Sequence, residues 1–276
     1  MQYCVFSTSD DNYAPMAITS LLTCRQQMPD LPLFLFGSHF SATTKQLASR
    51  KNVELVEIMQ SDFTQSLKTY PVECFFWFLA PKTLKNRGFK KAVFIDGDIC
   101  CGKPFGEVLN SDFGDFAGYF ETRFIDMFQN DLGKINQLWQ GQKRLKTSKS
   151  IQSGVVFIDL VAYERQQIAA KIIELFKISQ QNGIPRPGDD SLFALLQYLH
   201  TELKCTNLGA EYDYIVRRLP LKGVQTKNII FYHFTGLSPK PWTPWLKIGL
   251  KIWLEPWWYL TLPRFWHFRR VWRRLK

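Results

Sequence analysis

The chain has 276 residues, 46% hydrophobic and 21% charged, with 23 phenylalanines and nine tryptophans. That composition excludes a disordered, collagen-like or coiled-coil chain and suffices for one large α/β domain or two small ones. The net charge of +11 by itself points to a polyanionic partner such as nucleic acid, anionic lipid or a phosphate-bearing substrate. From the N-terminus, Gln2 to Ser7 reads as a short strand and gives way to the polar cluster Thr8, Ser9, Asp10, Asp11 and Asn12. Pro15 suits the first turn of a helix whose face carries Ile18, Leu21 and Leu22 and which ends before Pro29. Leu31 to Gly37 reads as a buried strand, Thr43 to Arg50 as a helix and Val53 to Ile58 as another strand. This alternation predicts a mostly parallel sheet covered by helices on both faces.

The pattern resumes with a helical segment from Val72 to Lys85 and a buried strand over Ala92–Ile95. Gly154 to Leu160 repeats the buried-strand composition, Tyr163 to Gln181 has helical periodicity through Ile168, Ile172, Leu175 and Phe176, and Ser191 to Tyr198 reads as a helix. A last strand, Asn228 to Tyr232, precedes His233. Without a repeat or long linker before Pro239, residues 1–240 read as one domain and 241–276 as a tail. The tail carries +7 of the +11 and seven of the nine tryptophans, leaving the body at an ordinary +4. Its interleaved aromatic and basic residues suit an anionic membrane surface, with a helix from Arg264 setting Phe265, Phe268 and Trp272 against Arg269, Arg270, Arg273 and Arg274. Packing of the tail on its own domain or on a partner subunit is the competing reading. The six cysteines show no disulfide or zinc spacing, and MQYCVFSTSDD lacks the pattern of a signal peptide. A cytoplasmic protein, peripheral on a membrane, is the expectation.

Chemistry concentrates at a few places. In Phe94-Ile95-Asp96-Gly97-Asp98, two carboxylates one residue apart follow a buried strand, where open α/β sheets bind ligands. They can converge on Mg²⁺ or Mn²⁺, and Asp-Gly is equally a common turn. His233 opens His-Phe-Thr-Gly-Leu-Ser-Pro-Lys-Pro-Trp. There Gly236 permits close approach to a ligand, Lys240 offers a point charge for phosphate, and the imidazole favours manganese over magnesium. Thr8, Asp10 and Asn12 could read a base and ribose or cap the following helix. Asp189 and Asp190 open a helix, where acids also suit the macrodipole.

Taken in order, SDDNYAP, FIDGD, SIQSGVVFIDL, the acidic pair before an apolar helix and HFTGLSPKPW resemble glycosyltransferase family 8 over nearly the whole chain. That family includes bacterial lipopolysaccharide galactosyl- and glucosyltransferases and the glycogenins. The resemblance implies the GT-A fold, a UDP-sugar donor, Mn²⁺ with Mg²⁺ as second candidate, and transfer of galactose or glucose with retained anomeric configuration to a glycan or lipid-linked saccharide. It implies Asp96, Asp98 and His233 as metal ligands, Gly97 beside them, Gly236 and Lys240 on the diphosphate, and Thr8, Asp10 and Asn12 on uridine. Asp189 and Gln152 would stand at the reacting sugar, with Asp190 structural. Departures from the family fall at three places: Gln152 replaces an asparagine, Trp77 replaces an arginine near the phosphates, and Gly188-Asp189 stands where the family has an Asp-Gln pair if Asp190 is matched to the acid that follows it, whereas a one-residue shift restores an acid at the first position. A catalytically inactive sugar-binding homologue is the alternative these departures motivate. Nucleic-acid binding is the weaker rival, because the excess charge sits in one tail beside an acid-lined site.

Overall fold

Cys4, Val5 and Phe6 of the first strand are all fully buried, although successive side chains point to opposite faces, so both faces of the sheet must be covered. The computed structural model describes residues 2–59, 63, 71–123, 128, 130–140, 149–184, 188–216, 226–235, 240–242 and 263–275. In chain order these form β1 (Tyr3–Thr8), α1 (Ala14–Gln27), β2 (Leu33–Gly37), α2 (Ala42–Arg50), β3 (Glu54–Glu57), a 3-10 run over Val72–Phe78, α3 (Ala80–Asn86), β4 (Lys91–Ile95) and β5 (Ile99–Cys101). There follow α4 (Gly106–Asn110), β6 (Phe116–Arg123), α5 (Leu132–Leu138), β7 (Lys149–Asp159), α6 (Leu160–Arg165), α7 (Ile168–Gln181), α8 (Asp189–Leu199), β8 (Cys205–Asn207), β9 (Tyr214–Ile215), β10 (Phe231–His233) and α9 (Pro263–Arg273).

Seven strands make one sheet in the order β3-β2-β1-β4-β7-β6-β8. Strands β3, β2, β1 and β4 run parallel, whereas β7 is antiparallel to both β4 and β6. The expected α/β architecture with a mostly parallel sheet is therefore present, with one reversed strand beside its centre. Phe6, Phe36 and Phe94 face Trp77, Phe78 and Phe193 on one side. Val5, Leu35 and Val93 face Ile18 and Leu21 of α1 on the other. A second sheet, β5-β10-β9, stands apart from the first. Its strands have two or three residues each, too few for a period-2 pattern to register in sequence.

Two expected helices are broken. The segment predicted from Val72 to Lys85 is a 3-10 run followed by α3. Pro81 has no N–H to return to the Trp77 carbonyl, so the chain restarts there. The segment predicted from Tyr163 to Gln181 divides into α6 and α7 at Gln167, which takes the left-handed conformation at φ 53°. The strand expected over Asn228–Tyr232 shifts to Phe231–His233, with a 3-10 turn over Thr226–Asn228.

Helix α9 lies at the basic tail and packs against the body. Phe265 and Phe268 are fully buried among Tyr214, Tyr232 and Phe234, each burial stabilising the fold by about 2 kcal/mol. His267 Nε2 lies 2.7 Å from Gln26 Oε1 of α1, while Arg270, Arg273 and Arg274 are exposed. Two of the three aromatic positions expected to form an apolar stripe thus meet the protein itself. Residues 243–262, with most of the tail's tryptophans, lie outside the described residues. Among the described residues no helix is long and apolar enough to cross a membrane.

Candidate active site

Parallel pairing of β1 with β4 sets their carboxyl ends side by side, so the loops that follow, Ser9–Tyr13 and Asp96–Asp98, share one edge of the sheet. Antiparallel β7 enters that edge from the other direction, with Val155 opposite Ile95, and the Asp96 N–H donates to the Gly154 carbonyl at 2.9 Å. Helix α8 starts above β7 and is joined to it where the Ser153 N–H donates to Asp190 Oδ1 at 3.0 Å. Between these loops is a pocket of about 470 Å³ whose wall includes Thr8, Asp10, Asn12, Tyr13, Asp96 and Asp189.

The small second sheet delivers the histidine. In its register His233 pairs with Ile99 on one side and with Ile215 on the other. The Phe234 N–H donates to the Asp98 carbonyl at 3.1 Å. His233 is therefore held one residue from Asp98 across one strand pair and two residues from Asp213 across the next. Its Nε2 lies 3.2 Å from Asp98 Oδ1 and 3.6 Å from Asp96 Oδ2, and its Nδ1 lies 2.8 Å from Asp213 Oδ1. Gly154 makes room for this: a Cβ there would come within 2.5 Å of the His233 ring and 2.7 Å of Asp213 Oδ2. At Gly97 a Cβ would stand 2.5 Å from the Tyr13 ring, so that glycine lets α1 close over the Asp96–Asp98 turn.

Charge in the cluster is tightly balanced. Burial, the largest single influence on His233, opposes its positive form, but the carboxylates of Asp213 and Asp98 outweigh it and hold the imidazole well above its ordinary value. Burial would raise Asp98, yet His233 and Lys240 pull it below the usual carboxylate range. Asp96 keeps 36% of its side chain exposed, and the desolvation that remains, with the nearby acids, pushes it well above that range. Lys240 Nζ donates to Asp98 Oδ2 at 2.5 Å and to the Phe234 carbonyl at 2.6 Å. Asp189 is pushed up to about 7, chiefly by burial and then by Asp190.

These groups suit a divalent cation. Asp96, Asp98 and His233 each offer one ligand atom, all within 4.8 Å of one another, which is a hard-oxygen set completed by one imidazole. Asp213 engages Nδ1 and leaves Nε2 facing the two carboxylates, the orientation that metal-ligating histidines commonly have.

Against known families, the model of glycosyl transferase family 8 matches residues 4–246. The chain belongs to this family. It is a glycosyltransferase with the GT-A fold. No match is found among curated protein sequences. Among solved structures it is similar to the galactosyltransferase LgtC in complex with donor and acceptor sugar analogs, at 12% identity and a TM-score of 0.66 over 99% of this chain and 96% of that one. The apo form of the bifunctional glycosyltransferase WbbM matches 92% of this chain and 50% of its own, at 14% identity and TM-score 0.63. Mouse xyloside xylosyltransferase 1, also apo, matches 87% of this chain and 99% of its own, at 11% identity and TM-score 0.58. At such identities the likeness is one of fold.

The structure of this glycosyltransferase brings together most of the residues singled out in its sequence. Thr8, Asp10, Asn12, Asp96, Gly97, Asp98 and Asp189 line one pocket, and His233 and Lys240 reach the same carboxylates. Asp10 serves the following turn as well, since its Oδ1 accepts the Tyr13 N–H at 2.7 Å. Gln152 is buried at 9% exposure, its Oε1 without a hydrogen-bond partner among the described residues, while Ser153 reaches the pocket wall. Gly236 lies outside the described residues. Trp77 is fully buried, stacked on Phe94 with ring centroids 5.1 Å apart, and its Nε1–H donates to Asp189 Oδ2 at 3.1 Å. An arginine at that point would meet Asp189 as a cation; the indole supplies a neutral donor instead. Sequence reading missed Asp213, Tyr13, Glu73 and Cys74. Glu73 and Cys74 line the same pocket from the 3-10 run, Tyr13 directly follows the Asn12 that was read, and only the pairing of β10 with β9 reveals Asp213.

Proposed function

We propose that the protein is a metal-dependent, retaining hexosyltransferase that moves galactose or glucose from a UDP-sugar to a hydroxyl of a glycan or lipid-linked saccharide. The observation that carries this reading is the convergence of Asp96, Asp98 and His233 within 4.8 Å beside a pocket of about 470 Å³, a size that suits a small organic ligand. Asp96, Asp98 and His233 would hold Mn²⁺, with Mg²⁺ as the second candidate, and the ion would neutralise charge on the diphosphate as UDP departs. Lys240 leaves Asp98 for the diphosphate and adds a second positive charge. Thr8, Asp10 and Asn12 hold uridine, with the Tyr13 ring as an apolar face beside them. Gly97 and Gly236 let the backbone come close to the phosphates.

Asp189 faces the donor sugar, held by Trp77, and Gln152 supports the wall behind Ser153. Asp190, bound to the Ser153 N–H and hydroxyl, fixes the start of α8. The acceptor hydroxyl attacks from the face the diphosphate leaves, and a phosphate oxygen takes its proton; a covalent glycosyl-enzyme trapped on Asp189 would contradict this route. That route retains the anomeric configuration. A panel of nucleotide sugars tests the reading by thermal unfolding with Mn²⁺. A UDP-hexose at a hundred times its Kd stabilises the fold by about 2.7 kcal/mol, and the effect is absent with GDP- or CMP-sugars. Equal stabilisation by every nucleotide sugar would contradict it.

A second proposal concerns residues 241–276. The exposed Arg270, Arg273 and Arg274 of α9 support peripheral attachment to the anionic cytoplasmic face of a membrane, each contributing about 1 kcal/mol.

A further inference from the structure

Arg269 differs from the other arginines of α9. It is only 5% exposed, and its Nη1 donates to the Pro241 carbonyl at 2.7 Å. Burying a guanidinium is unfavourable unless hydrogen bonds offset the lost water, and an apolar residue would have docked the helix as well. What the arginine adds is a directed hydrogen bond from a planar, rigid group. That bond ends on the residue after Lys240.

The same helix grips the Lys240 neighbourhood at two further points. Phe268 packs against Trp242, ring centroids 5.7 Å apart, and Lys240 Nζ lies 5.7 Å from the centroid of that tryptophan. Phe265 and Phe268 pack edge-on against Phe234 at 6.1 and 6.0 Å. Phe234 in turn accepts from Lys240 Nζ through its carbonyl and donates to the Asp98 carbonyl through its N–H. Among the described residues, every anchor of the Lys240 ammonium other than Asp98 itself therefore leans on α9.

We propose that α9 is a positioning element of the diphosphate site, acting through Arg269, which fixes the backbone at Pro241 so that the Lys240 ammonium is held at the edge of the Asp96–Asp98–His233 cluster. This rests on the reading that Lys240 contacts the diphosphate. In consequence, the segment that carries the basic tail also tunes donor binding: a shift of α9 against α1 moves Pro241 and with it Lys240.

The test is calorimetric binding of UDP and of UMP, each with Mn²⁺, to the full chain as wild type, Arg269→Gln, Lys240→Ala and the double variant. UMP lacks the second phosphate. Losing the set position of one charge-assisted hydrogen bond predicts UDP binding about tenfold weaker in Arg269→Gln. UMP binding should change by less than about twofold, and the Arg269 effect on UDP should vanish when Lys240 is already alanine. Arg269→Lys, which keeps the charge and loses the planar fork, should also weaken UDP binding, and it serves in place of Arg269→Gln if that variant does not fold. The proposal is overturned if the Arg269 variants bind UDP as tightly as wild type, if UMP weakens as much as UDP, or if the loss persists undiminished without Lys240. Wild-type UDP affinity in Lys240→Ala would instead sink the diphosphate role of Lys240, a distinct result.

Discussion

Asp189 takes its unusual proton affinity from its surroundings: burial and then the adjacent Asp190 carboxylate raise it, against the hydrogen bond from the Trp77 indole, which favours the ionised form. With its carboxyl raised to about 7 from an ordinary value near 3.9, the folded protein holds a proton between those values that the unfolded chain has released. Stability at this site is then greatest below about pH 4 and falls as pH rises toward 7. Asp189→Asn should abolish that fall. In chelator-treated protein the variant should match wild type near pH 4 and exceed it at pH 8 by up to about 4 kcal/mol, read from denaturant unfolding at both pH values. Parallel pH profiles for the two proteins would show that Asp189 does not carry the shift. At this scale much of the site was legible in the sequence, because FIDGD and the loop after β1 are local in the chain and follow strongly apolar strands. The partners that tune these residues were not. Trp77 and Asp189 stand 112 residues apart and meet only through packing.

Among the elements, the three short strands β5, β10 and β9 do the assembling. They place His233 between Asp98 and Asp213, and they are too brief to announce themselves by alternation. That is why Asp213, fully buried and hydrogen-bonded to the histidine, could not be found from sequence. The pattern did predict a strand leading into His233, starting three residues early and ending one residue early, because the apolar run Ile229–Tyr232 continues past the 3-10 turn. Asp213→Asn keeps a hydrogen-bonding group at Nδ1 and removes the charge. It should weaken Mn²⁺ binding by roughly tenfold or more, measured by electron paramagnetic resonance of free Mn²⁺; unchanged affinity would mean that His233 is oriented without it. Helix α9 was read correctly as a helix, but its apolar face was assigned to lipid, whereas Phe265 and Phe268 close a cluster on the body. A hydrophobic stripe states that a face is to be covered and leaves the cover unnamed. Replacing Arg270, Arg273 and Arg274 by glutamate should therefore spare the fold and release the protein from anionic vesicles, as followed by sedimentation. Full retention on the vesicles would place attachment elsewhere.

The molecule as a whole follows the alternation of its first 60 residues, where continuous apolar strands demand cover on both sides. The reversal at β7 was illegible because GVVFID is buried on both faces, and such a strand has the same composition whichever way it runs. That reversal completes the site: it brings Gly154 beside Asp96 and allows His233 to approach from the second sheet. The +11 divides accordingly, with Lys240 turned toward the acids of the pocket and the exposed arginines of α9 toward the surroundings. In the function proposed for the protein, Asp96, Asp98 and His233 hold a divalent cation needed to release UDP from a UDP-hexose. The most direct measurement is UDP release from UDP-galactose and UDP-glucose by the wild-type protein and Asp98→Ala, each with Mn²⁺ and with a chelator. Release is expected from wild type with Mn²⁺, lost in chelator and reduced at least about a hundredfold in the variant. Equal release in chelator, or by Asp98→Ala, would contradict it.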